Sequence, residues 1–371
     1  MQHRLRTLTA SLCATLVAGT VLVGPSASAA PTADSRASGW LTRQLTGGVV
    51  HNDQYDFDDY GLTVDVAFAL EALDRAPKKV RAAREAVAAN IEAYTTGGEW
   101  APDDVYAGSV AKAVVLAQRT GGDPRDFGGV DLVERLEQRV QARGPLAGRI
   151  SDKSESDYAN VIGQSFAAEA LARAKSPLAD EAIDFLLLQQ CGKGFFRLNF
   201  NELTTADQGC DDAPRSARTP DNDVTAIAVL GLDALPKSHR SKAVRSAIAD
   251  GKRWLVRQQR KNGSFDGGPG DDPTLVIPNA NSTGLASWAL GELGVCAPAR
   301  KAARWVARLQ VPGGVARTPL AGETGAIAFD RVGYDTAKTD GITVEARDQW
   351  RRASAQAAPA LRWLARGACR R

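Results

Sequence analysis

The stretch Gly251-Lys-Arg-Trp254-Leu255-Val-Arg-Gln-Gln259-Arg-Lys-Asn-Gly263-Ser-Phe265 decides the fold. It reads as a helix with an apolar stripe, stopped by a glycine that takes the left-handed cap conformation. Two other segments align with it without gaps. One runs from Ala182 through Phe185-Leu186, Gln190 and Gly194 to Phe196. The other runs from Ala302 through Trp305-Val306, Gln310 and Gly314 to Ala316, where an aromatic would be expected. Weaker copies lie at Trp40-Leu41 to Gly48, at Asn90-Ile91 to Gly98-Glu-Trp100, and around Leu132 to Gly144.

A second helix follows each turn, opened by Asp or Asn and apolar nearly all round. These run from Asp59 to Leu70, Asp104 to Leu116, Asp157 to Leu171, Asp223 to Leu232 and Asn281 to Leu290, with a fainter sixth from about Glu345. A helix apolar on every side is buried, whereas one with a charged face is peripheral. Six such pairs predict an all-α (α/α)6 toroid, six outer helices around six inner ones. No segment alternates with period two for long enough to predict a strand.

Composition agrees with a globular exported protein. The 371 residues are 44% hydrophobic and 24% charged, which excludes a disordered chain. A net charge of +3 leaves no nucleic-acid footprint, and a mean hydropathy of −0.24 excludes a polytopic membrane protein. Residues 1–29 read as a cleaved signal peptide: His3, Arg4 and Arg6, then an apolar run from Leu8 to Val23, then Ala27-Ser28-Ala29. The run is too short to span a bilayer. The expectation is a secreted, extracellular, monomeric protein with a single domain from residue 30 to 371.

Beyond Cys13 the chain has Cys191, Cys210, Cys296 and Cys369. An even count in an exported chain favours disulfides. The preferred pairing is Cys191–Cys210, closing a polar loop, with Cys296–Cys369, tying back the C-terminus. Each bridge contributes roughly 3–4.5 kcal/mol on the chain-entropy estimate. No CxxC occurs, so no metal site is expected.

The pattern of small residue, Trp254-Leu255, Gln259, Gly263 and Phe265 resembles the QW repeat of squalene-hopene cyclases. That resemblance implies the toroid of the terpenoid cyclase and protein prenyltransferase superfamily. The look is nearest to secreted actinobacterial prenyltransferase or squalene-oxidase repeat proteins of undefined activity. Relatives on this fold differ in chemistry, so the fold does not choose a function.

Each chemistry has its own test in the residues. Asp56-Phe57-Asp58-Asp59 matches the DxDD acid of class II terpene cyclases, whose central Asp protonates an alkene; Asp56, Asp58 and Asp59 are therefore candidate catalytic residues. The signature continues into Thr or Ser and Ala, yet Tyr60-Gly61 follow here. Acids also recur at the same point of other repeats, which reads as helix capping. Zinc-dependent prenyl transfer lacks its ligands, and a thioester lacks its Gln, because Cys191-Gly192 continues into Lys193-Gly194. No cofactor is expected, although Gly267-Gly-Pro-Gly-Asp-Asp272 offers oxygen ligands for calcium.

The outer-to-inner loops hold 24 acids against 11 bases, and the return loops 6 against 15. Long loops on one face of a scaffold carry function. Asp59, Tyr60, Asp104, Tyr106, Asp157, Tyr158, Asp223 and Asn281 are the ligand-binding candidates around that acidic, tyrosine-lined mouth. The leading expectation is a non-catalytic binding module for a small molecule, peptide or glycan. The alternatives are an enzyme, glycan-active before terpene-cyclising because aromatics are scarce, and a calcium-stabilised structural protein.

Overall fold

The computed structural model describes residues 30–268, 276–365 and 367–369. The signal peptide and residues 269–272 of the calcium-ligand stretch lie outside the described residues. Residues from Thr32 onward form one compact unit.

Six inner helices form a ring: α2 (Tyr60–Ala72), α5 (Ala107–Thr120), α7 (Val161–Ala174), α9 (Asn222–Asp233), α11 (Ala280–Glu292) and α14 (Val344–Ala357). Each packs on the next, and α14 packs back on α2, which closes it. Outside lie α1 (Ala33–Arg43), α3 (Pro77–Ala89) continued by α4 (Ile91–Thr95), α6 (Leu132–Glu137), α8 (Ala179–Leu188), α10 (Lys242–Gln258) and α12 (Cys296–Ala307). One more helix, α13 (Arg331–Asp340), sits within the last outer-to-inner connection. Both disulfides form as expected, with Cα separations of 4.9 Å for Cys191–Cys210 and 5.5 Å for Cys296–Cys369. No helix among the described residues is long and apolar enough to cross a membrane.

Short strands do occur, contrary to expectation. β1 (Leu45–Thr46), β2 (Val49–Asn52) and β3 (Phe57–Asp58) form an antiparallel meander, and β4 (Thr96–Gly97) pairs with β5 (Ala101–Val105). All are rim hairpins of two to five residues, too short to show an alternation.

The repeat residues prove to be joints between neighbouring hairpins. Gln190 Nε2 donates to the carbonyl of Gly194 in its own turn and to that of Ala247 in α10. Gln259 does the same to Gly263 and to Pro298 in α12. The turn then hangs on the inner helix: Phe196 N–H donates to Thr225 Oγ1 and Phe265 N–H to Thr283 Oγ1, both at 2.9 Å. In the sixth repeat the same partners are Gln310, Gly325 and Ile327, with Ser354 Oγ receiving the Ile327 N–H at 2.8 Å. Gly325, not Gly314, is therefore the repeat glycine there. At φ 99° it presses against α1, where a Cβ would lie 2.0 Å from the Arg36 carbonyl oxygen. Only glycine tolerates that approach. An insertion in the loop displaces the glycine and hides it from a gapless alignment.

Candidate functional site

Away from their ends, α2, α5, α7, α9 and α11 are buried except along one stripe each, whereas the first six residues of α14 are exposed or half-buried. In α9 the half-exposed residues are Asp223, Ile227 and Leu230; in α11 they are Asn281, Trp288 and Glu292; in α7 Ile162 and Phe166; in α5 Gly108, Ser109 and Lys112. Spacings of three and four put each set on one helix face. These faces meet at the axis, around a cavity of about 170 Å³. Its waist is apolar, formed by Phe68, Phe166, Ile162, Ile227, Leu230, Leu285 and Trp288. Phe68 and Phe166 stack with ring centroids 6.0 Å apart. The inner-helix aromatics are few, yet they converge on one space.

The lumen's charged walls are mutually neutralised. Lys112 Nζ lies 2.6 Å from Asp65 Oδ1. Arg119 forks onto Glu169 at 2.9 and 2.5 Å, and Arg173 adds a third contact to that carboxylate at 3.0 Å. Recesses adjoin the waist at both ends. At the inner-helix C-termini a space of about 580 Å³ is lined by Glu71, Arg119, Arg173, Asp233, Glu292 and Arg362. At the N-termini a space of about 430 Å³ is lined by Tyr94, Tyr106, Tyr158, Asp152, Asn160 and Lys112.

Capping accounts for the rim acids, but through other residues than expected. Asp59 does cap α2, accepting the Leu62 N–H at 2.7 Å, and also pairs with Arg352 at 2.5 Å. Asp104, half-buried on β5, caps no helix among the described residues, and Asp152 reaches across to accept the Ala107 N–H of α5 at 2.7 Å. Asp157 pairs with Arg149 at 3.0 Å, while Asn160 caps α7. Asp221 caps α9 in place of Asp223, and Asn279 caps α11 in place of Asn281. In α7, α9 and α11 the expected residue was two or three positions from the cap. Asp223 and Asn281, relieved of capping, lie on the same helix faces as Ile227 and Trp288 of the waist.

The hairpin acids stand elsewhere. Asp56 is 97% exposed and Asp58 47%, and His51 bridges them at 3.3 and 3.0 Å. The Asp58 carboxylate hydrogen-bonded to the His51 ring raises its pKa. Tyr60 packs against Tyr94 at 6.5 Å, leaving the recess to Tyr94, Tyr106 and Tyr158.

Asp223 differs from every acid just described. Its Oδ1 is buried with no hydrogen-bond partner among the described residues. Burial, then the charge of Asp221, pushes its carboxyl up to about 7, against the pull of the Ser282 hydroxyl. Burial raises Asp221 too, against the two N–H groups that it caps. A carboxyl poised near neutrality in a cleft marks a candidate proton-transfer group. A sequence signal existed: Asp221-Asn-Asp223-Val224-Thr225-Ala226 has the Asp-x-Asp and the following Thr-Ala of the cyclase signature, with Val224 at the fourth carboxylate position.

No protein-family model and no curated protein matches the sequence. Solved structures do. Type II terpene cyclase MstE from Scytonema is similar with a TM-score of 0.58 at 16% identity, over 89% of this chain and 96% of that one. A protein from Actinoplanes gives 0.56 at 17%, over 90% and 98%. Unsaturated glucuronyl hydrolase from Bacillus sp. GL1, responsible for the degradation of glycosaminoglycan, gives 0.57 at 12%, over 91% and 99%. These likenesses show the fold: the chain is an α/α toroid.

Proposed function

We propose that the lumen is the active site of an acid catalyst for a largely apolar, unsaturated small molecule, with Asp223 as proton donor. The observation that carries this reading is the near-neutral Asp223 carboxyl, its Oδ1 without a hydrogen-bond partner among the described residues, one helical turn before Ile227 of the apolar, aromatic waist. An alkene's π pair would take the Asp223 proton, forming a C–H bond and leaving a carboxylate. The resulting cation would rest against Phe68, Phe166 and Trp288, whose ring faces attract positive charge. Loss of a proton from a neighbouring carbon, back to the carboxylate or to solvent, would end the reaction as an isomerisation or cyclisation. Asp221 serves by its charge, keeping Asp223 protonated near pH 7. Among the similar structures, MstE complexes with geranylgeranyl dihydroxybenzoate support the choice of substrate class.

This reading moves the acid from Asp56-Phe57-Asp58-Asp59 to Asp223, and it favours an apolar substrate over a glycan because the waist is apolar. Incubation with prenylated phenols, followed by mass spectrometry for products of unchanged mass, tests it. Products are expected from the native protein and from Asp56→Asn and Asp58→Asn, and none from Asp223→Asn. Activity that survives Asp223→Asn would overturn the assignment. Binding without turnover is the second reading, favoured by the mutual neutralisation of Lys112 with Asp65 and Arg119 with Glu169; it predicts tight binding and no product from any of these proteins.

A further inference from the structure

The recess at the inner-helix N-termini has a composition unlike the waist it adjoins. Three tyrosines reach it from three separate elements: Tyr94 from α4, Tyr106 from the start of α5, and Tyr158 from the connection before α7. Its floor is bare backbone, supplied by Gly61, Gly108 and Gly163. Gly108 and Gly163 touch where α5 crosses α7, and a Cβ on Gly163 would lie 3.0 Å from Gly108 Cα. Polar groups stand around the rings. The Asp152 carboxylate is held by the N–H groups of Ala107 and Tyr158 at 2.7 and 3.0 Å. The Lys112 ammonium, which also donates to Gly61 O at 3.1 Å, lies at the inner end. Burial pushes the Tyr94 hydroxyl up to about 12, so it remains a hydrogen-bond donor. Lys112, Ile162 and Phe166 line both this recess and the waist, so the two spaces share a wall.

We propose that this recess is a head-group subsite for a hydroxylated six-membered ring whose attached apolar chain enters the waist. Flat aromatic walls and a side-chain-free floor suit the faces of a ring, and a few placed polar groups fix orientation in an otherwise apolar site. Asp152 accepts from the ring's hydroxyls; Lys112 and Tyr94 donate to them. A phenolic ring and a sugar ring share this chemistry. The proposal rests on the lumen being the ligand site but does not need Asp223 to react.

Isothermal titration with 4-octylcatechol, octyl β-glucoside and 1-octanol tests it, since the three share a chain and differ in the head. At least one ring-headed probe is expected to bind tenfold or more tighter than octanol, and which one does so identifies the ring. Tyr158→Ala, at a residue 72% exposed, and Tyr106→Ala should each remove most of that advantage while leaving octanol binding unchanged. Trp288→Ala should weaken all three probes alike. If octanol binds as tightly as both ring-headed probes, the subsite is wrong and the apolar waist stands. If none of the three binds, both the subsite and the lumen reading fall. If the tyrosine variants weaken octanol as much as the ring-headed probes, the recess shapes the lumen and holds no head group.

Discussion

Two stretches of this chain spell nearly the same carboxylate signature and do opposite things. Asp56-Phe57-Asp58-Asp59 lies on a rim hairpin, where His51 bridges the solvent-exposed Asp56 and Asp58 and Arg352 pairs with Asp59. Asp221-Asn222-Asp223 opens the fourth inner helix, where Asp221 takes the cap and Asp223, two residues later, is buried on the helix face that carries Ile227 and Leu230 of the waist. The more complete match in letters is thus the poorer match in chemistry. Desolvation and a like charge at close range make a carboxyl into a proton donor at neutral pH, and neither is written in a four-residue motif.

Turnover should separate the two stretches most. Should the lumen be an active site, Asp223→Asn removes a general acid and is expected to lower kcat about 10²–10⁴-fold, with Asp56→Asn and Asp58→Asn within about twofold of native in steady-state assays. Stability against pH separates them next. The folded-state pKa of Asp223, about 7, lies above the unfolded value near 3.9, so the native state binds that proton more tightly. Its contribution is complete below about pH 4 and is lost as pH rises toward about 7. Asp223→Asn escapes that loss, so thermal melting should find it close to native at pH 4 and clearly more stable at pH 8. A native-minus-variant difference independent of pH would show an ordinary carboxyl at 223.

Asp221→Ala sharpens the comparison from the other side. It deletes the α9 cap, expected to destabilise by about 1 kcal/mol, and removes the charge that raises Asp223. Carboxyl carbon chemical shifts followed through a pH titration should then place the Asp223 midpoint lower than in the native protein. The smallest effect belongs to the hairpin. His51 has a raised pKa, so its pairing with Asp58 stabilises below its unfolded value near 6.5 and fades as pH climbs through the folded one. His51 is open to solvent and salt screens the pair, so His51→Ala should shift melting only slightly, and less still at high ionic strength.

The helical ring was legible in the residues because it is written in local, repeated spacings. The glutamine and glycine of Gln190-Gly194 and of Gln259-Gly263 hook one outer hairpin to the next, and each spacing reports a helix face or a turn within a dozen residues. The disulfide pairing was legible for a similar reason, since loop position constrains partners. Elsewhere the same local logic went astray by small steps. A cap lies two or three residues from the polar residue that advertises it, as with Asn160 near Asp157 and Asn279 near Asn281. The sixth glycine hides behind a loop insertion. One residue of displacement turns a helical side chain by about 100°, enough to send it from a cap to the axis.

By itself, then, the amino-acid order determined twelve alternating helices and the glutamine and glycine joints that link them. Only the closed tertiary structure decided which carboxyl loses its water, because the burial and the aromatic waist beside it are assembled from helices distant along the chain.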